Sequence, residues 1–80
     1  MPLGVTATSA NLRKDANPSA ALAPTPTLYQ GDQVAQEMIT TGTDGLTWWK
    51  VRCTYSNPNK GSGSRLGATG WSQAKWYGNV

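Results

Sequence analysis

Histidine is absent from this chain, and cysteine occurs once, at position 53. Each absence removes a class of chemistry. Without an imidazole, the plentiful serines and threonines have no general base to turn them into nucleophiles. A thiol at Cys53 likewise has no activating partner. A single cysteine forms no intrachain disulfide, so Cys53 is expected to be a small buried hydrophobe in a strand. Acids are also sparse. Asp15, Asp32, Glu37 and Asp44 are all there are, scattered and without the clustering that a metal site requires. The glycines of 61–70 lack the strand-to-helix setting of a phosphate loop. The expectation is a chain with no catalytic residues, no metal and no cofactor, and not an enzyme.

No stretch of about 18 apolar residues is present, so no membrane-spanning helix is expected. Met1-Pro2-Leu3-Gly4 has neither the basic nor the apolar region of an export signal. Two localisations follow as expectations: a cytoplasmic or virion-associated protein, or a domain of a larger secreted protein working outside the cytoplasm at the cell wall.

What is there is aromatic and unevenly charged. The four tryptophans lie in two short pieces, Trp48-Trp49-Lys50-Val51-Arg52 and Gly70-Trp71-Ser72-Gln73-Ala74-Lys75-Trp76-Tyr77. A chain of 80 residues buries only about 60–65% of its unfolded surface. Four large indoles do not easily fit inside it, and clustered tryptophan outside a core is a recognition surface. Residues 50–80 carry Lys50, Arg52, Lys60, Arg65 and Lys75 with no acid, a basic half suited to an anionic polymer or an acidic protein face.

Nine glycines and five prolines, with abundant Ser and Thr, predict many turns between short strands. Val5–Arg13 alternates as a strand. Lys14–Thr27, punctuated by Pro18, Pro24 and Pro26, is predicted to be a long irregular loop, because proline withholds an amide donor from a sheet. Leu28–Val34 reads as an anchor and a Gly31-Asp32 turn leading into a strand that runs to Thr40. Asp44-Gly45 closes a hairpin, and Leu46–Tyr55 is the best strand, with Trp49, Val51 and Cys53 on one face and Trp48, Lys50 and Arg52 on the other. Residues 56–64 read as a flexible excursion with little to bury. A strand resumes at Arg65–Ser72, with Gly67 and Gly70 marking bulges or close backbone approach. Gln73–Tyr77 suits a tight 3₁₀ turn before a short last strand. The expectation is one all-β domain over residues 1–80, a small barrel with its core over about 5–77 and a tail at 1–4.

Asn11-Leu12-Arg13, a Pro-containing loop, Leu28-Tyr29-Gln30-Gly31-Asp32-Gln33-Val34, Trp48-Trp49-Lys50-Val51, Thr69-Gly70-Trp71 and Lys75-Trp76-Tyr77 follow one another in an order that resembles the bacterial SH3 (SH3b) domain family. The resemblance covers residues 5–77. It implies an SH3-like barrel of five to six short strands with a long Pro-containing loop after the first. Ser72 stands where the family has valine, and the loop near 55–64 is longer than its usual hairpin. The resemblance also implies a non-catalytic module that holds a partner on cell-wall peptidoglycan or its peptide stems. Trp48, Trp71 and Trp76 would floor the groove, and Tyr29, Lys50 and Arg52 would line it. The alternative is a structural or interaction subunit of a capsid, tail or filament, whose exposed aromatics and strand edges meet a protein neighbour. Nucleic acid ranks last, since the net charge is only +3.

Overall fold

A computed structural model describes residues 2–80; Met1, the first residue of the expected tail, lies outside them. Its strands are β1 (Leu3–Val5), β2 (Ser9–Arg13), β3 (Leu22–Tyr29), β4 (Gln33–Thr41), β5 (Thr47–Tyr55), β6 (Thr69–Gln73) and β7 (Tyr77–Asn79), with one 3₁₀ turn at Ala74–Trp76. The strands make a single antiparallel sheet in the order β3-β2-β6-β5-β4-β1-β7. Its outermost strands, β3 and β7, do not pair with each other, so the sheet is not closed.

The sheet bends around one core. Alternation puts every second side chain on the inner face, and Ala10, Leu12, Leu28, Val34, Val51 and Cys53 meet Val5 and Tyr77 from the far strands. Trp49 packs against this cluster and stacks on Tyr77, with ring centroids 5.7 Å apart. Gly70 is a point of close approach: a Cβ there would lie 2.8 Å from Leu12 Cβ. In the β4–β5 hairpin β5 follows the predicted alternation, but on β4 a bulge between Gln36 and Met38 moves Met38 to the face opposite Val34 and Gln36, where one parity was expected. The hairpin turns at Gly45, whose φ of +79° suits glycine.

Four expectations are corrected. Residues 22–27 are strand rather than loop. β3 is an edge strand, and a bulge opposite Leu12 separates its pairing at Thr27 from that at Leu22. Pro24 and Pro26 fall in the bulged stretch, where a missing amide costs no ladder bond. The loop that remains, residues 14–21, is tied down by Lys14 N–H to Ala21 O at 2.9 Å and Thr43 N–H to Ala16 O at 3.2 Å.

Leu3 and Gly4 are not a tail but pair with Asn79 and Gly78 of β7. The predicted strand 5–13 breaks at Thr6–Thr8, because its first part pairs with β4 and β7 and its second with β3 and β6. Residues 65–68 form a turn rather than strand, held by Gly67 N–H to Cys53 O and Ala68 N–H to Arg65 O.

The excursion at 56–64 does bury something at its base. Arg65 is buried and gives Nε and Nη2 to the two oxygens of the fully buried Asp32, at 2.6 and 2.9 Å. Asp32 also accepts the Tyr29 and Asn57 amides, and Arg65 donates onward to Gly63 O and Asn57 O. Its guanidinium sits 4.9 Å from the Tyr29 ring centroid. Burial pushes the Asp32 carboxyl up. The Arg65 hydrogen bond, the two amides and the Arg65 charge outweigh that and hold it below its ordinary value. One ion pair thus fastens the excursion to the 29–32 turn.

Candidate functional site

The outer face of β2, β6 and β5 carries the largest concavity, an open cleft of about 570 Å³ lined by Ala7, Thr8, Ser9, Asn11, Arg13, Pro18, Trp48, Gln73 and Trp76. Its construction follows from strand parity. Ser9, Asn11 and Arg13 alternate with the buried Ala10 and Leu12 on β2, so all three point outward. On β6, Gln73 alternates with the buried Ser72 and pairs across the sheet with Trp48 of β5. The 3₁₀ turn then brings Trp76 to the cleft, and the 14–21 loop contributes Pro18.

Trp48 and Trp76, 28 positions apart in the sequence, are brought to one cleft but play different parts in it. Trp48 is only 3% exposed. Its ring lies against Gly42, where Ala16 O of the 14–21 loop also approaches, and its Nε1 donates to Asp44 Oδ1 at 2.9 Å. The expectation that it forms an open floor is therefore corrected: the hairpin and the 14–21 loop close over it, and it is a wall of the cleft. Trp76 is partly buried: it packs against the core cluster on one side and lines the cleft on the other, with Lys75 Nζ 4.6 Å from its ring centroid.

Asp44 is a site residue that sequence reasoning took only for a turn former. It accepts Leu46 N–H and Trp48 Nε1–H on one oxygen and Gln73 Nε2–H on the other. What burial it has pushes its carboxyl up, but these bonds hold it below its ordinary value. It orients two lining side chains at once. The Asp-Gly signal is satisfied by the turn alone, so nothing local in the sequence distinguishes this second duty. Arg13 was likewise read as part of a motif. Its Nη1 donates to Ala20 O at 2.8 Å, which fixes the guanidinium at the cleft's edge.

The other predicted residues divide into three places. Trp71 and Lys50 border a shallower hollow on the same sheet face, beyond Arg13. Arg52 is exposed and paired with Glu37 at 3.1 Å. Tyr29 lies under Gly61 and Arg65, in the ion-pair network. The structure therefore does not bring Arg52 or Tyr29 to the cleft, because Arg52 is engaged toward β4 and Tyr29 is packed at the base of the excursion.

Cys53 is buried and gives a weak bond to Tyr55 O at 3.4 Å; burial pushes its thiol pKa up, the direction of an inert thiol. Ser72, which stands where the family has valine, is buried, and its hydroxyl lies beside the Tyr77 phenol, where it opposes the effect of burial on that group. Trp49 Nε1 is buried without a hydrogen-bond partner. Burial pushes the Tyr77 phenol up to about 12. Among the described residues no three His, Cys, Asp or Glu side chains gather as a metal site would need, and no helix is long and apolar enough to cross a membrane. Comparison with protein-family models, curated proteins and solved structures returned no match.

Proposed function

We propose that this chain is a non-catalytic, SH3-like binding module that holds cell-wall peptidoglycan, or its peptide stems, in the cleft between Trp48 and Trp76. The observation that carries the reading is the lining of that cleft. It pairs a partly exposed indole with the neutral hydrogen-bonding side chains of Ser9, Asn11 and Gln73 and one guanidinium, and no acid lines it. An aromatic face packs on a sugar ring or peptide plane while amides and hydroxyls meet its polar rim. Arg13 meets a carboxylate. Saturable co-sedimentation with insoluble sacculi tests this. Trp76→Ala should abolish pelleting while the protein stays folded, with a melting temperature lowered only modestly by the lost core contact, and pelleting that survives Trp76→Ala refutes the assignment.

One observation favours a second reading, a subunit that pairs with a protein neighbour. β1 covers β4 only at Gln33, so the outer edge of β4 is open from about residue 35 to 41, with Met38 and Ile39 53% and 62% exposed. An open apolar edge is a template for strand addition. Sedimentation equilibrium decides: a defined oligomer lost in Ile39→Lys supports it, and a monomer at all concentrations excludes it.

A further inference from the structure

Strand pairing aligns Arg13 of β2, Trp71 of β6 and Lys50 of β5 in one row, since Arg13 pairs with Trp71 and Trp71 with Lys50. Residues directly opposite in a sheet share a face and stand about 5 Å apart. Trp71 is therefore flanked by a cation on each side. Lys14 adds a third at the rim of the hollow, which has a volume of about 210 Å³ and whose remaining lining is Ala23, Pro24, Thr69 and Gly70. Among the described residues none of the three cations makes an ion pair; the two that exist are Arg52–Glu37 and Arg65–Asp32. Three like charges gathered around one partly exposed indole repel one another.

We infer that this row is a second binding site, for a pyranose that carries a carboxylate. The sugar's C–H face lies on Trp71, whose π-face is electron-rich. Its carboxylate sits toward Arg13, whose fork is already oriented by Ala20 O and pairs with carboxylates with defined geometry. Lys50 supplies a second positive charge from the opposite side. A single-stranded nucleic acid is a poorer occupant, because such strands use successive aromatic platforms along a groove, and this row has one. The site adjoins the Trp76 cleft on the same sheet face and shares only Arg13 with it, so one carboxylate at Arg13 serves either site but not both at once.

The test compares two sugars that differ in a carboxylate, N-acetylmuramic acid and N-acetylglucosamine, titrated into the isotope-labelled protein and followed by amide and indole NMR signals. N-acetylmuramic acid should shift the Trp71 indole and the amides of residues 13, 50 and 71 in a saturable way, while N-acetylglucosamine should not. Lys50→Gln and Trp71→Ala should each weaken binding by about tenfold, the worth of one charge-assisted or stacking contact. Lys60→Gln, which removes the same charge from the excursion, should leave it unchanged and so separates a local site from a net-charge effect. Equal response to both sugars, an equal loss in Lys60→Gln, no response at all, or a response only to a single-stranded oligonucleotide each overturns the inference. Failure of the unsubstituted protein to pellet with sacculi, with the N-acetylmuramic acid shifts intact, would instead strike the cleft reading alone.

Discussion

Replacing Arg65 by methionine should nearly unfold the protein, although the residue stands at the foot of a polar, glycine-rich excursion. The side chain is 4% exposed and its partner Asp32 is fully buried. Methionine keeps most of the volume but leaves a buried carboxylate with only the Tyr29 and Asn57 amides as donors. Removing one member of a buried, hydrogen-bonded ion pair costs about 3–5 kcal/mol. A chain of this length is stable by only about 4–12 kcal/mol, so the variant should be marginal at best.

Urea unfolding followed by tryptophan fluorescence measures the loss. The pH dependence supplies an independent sign. Asp32 has a folded pKa below its ordinary 3.8, so the stability it contributes is fully present above that ordinary value and is lost as pH falls through the lowered folded one. The gap between wild type and Arg65→Met should accordingly narrow in acid, and a double-mutant cycle with Asp32→Asn should show coupling of about 1–3 kcal/mol. A loss under about 1 kcal/mol at neutral pH, or a gap independent of pH, would refute the view that this pair fastens the excursion.

The two cleft tryptophans should respond oppositely. Trp48→Ala removes an enclosed indole and should cost about 3–5 kcal/mol, whereas Trp76→Ala removes an indole that is only partly buried against the core and should cost less, about 1–2 kcal/mol; chemical denaturation of both shows whether the division into wall and contact surface is right. Asp44→Ala should free Gln73 and the Trp48 indole and cost sacculus binding with little loss of stability, read from pelleting beside a melting curve. Cys53 should resist alkylation in the native protein and react on unfolding, so rapid native labelling would contradict its burial.

The β4–β5 hairpin was legible because its information is local. Period-two alternation selects the inner face, and Asp44-Gly45 selects the turn. The prolines misled for an equally physical reason. Proline excludes a central strand but not an edge strand with a bulge, and only the sheet order shows that β3 is an edge. Trp76 was legible as a contact residue from its type and setting; Trp48, of the same type, was not legible as a wall, since it is closed over by Gly42, Asp44 and the 14–21 loop.

Composition alone settled that no histidine-based chemistry and no disulfide are available to this chain, and local pattern settled that it is built of antiparallel strands, because a missing residue type and a two-residue period need no knowledge of distant contacts. The partners of Asp32 and Arg65, the meeting of Trp48 with Trp76, and the alignment of Arg13, Trp71 and Lys50 in one row were decided by the tertiary structure. They depend on register between strands far apart in the chain, and a shift of one residue would turn each of those side chains to the opposite face.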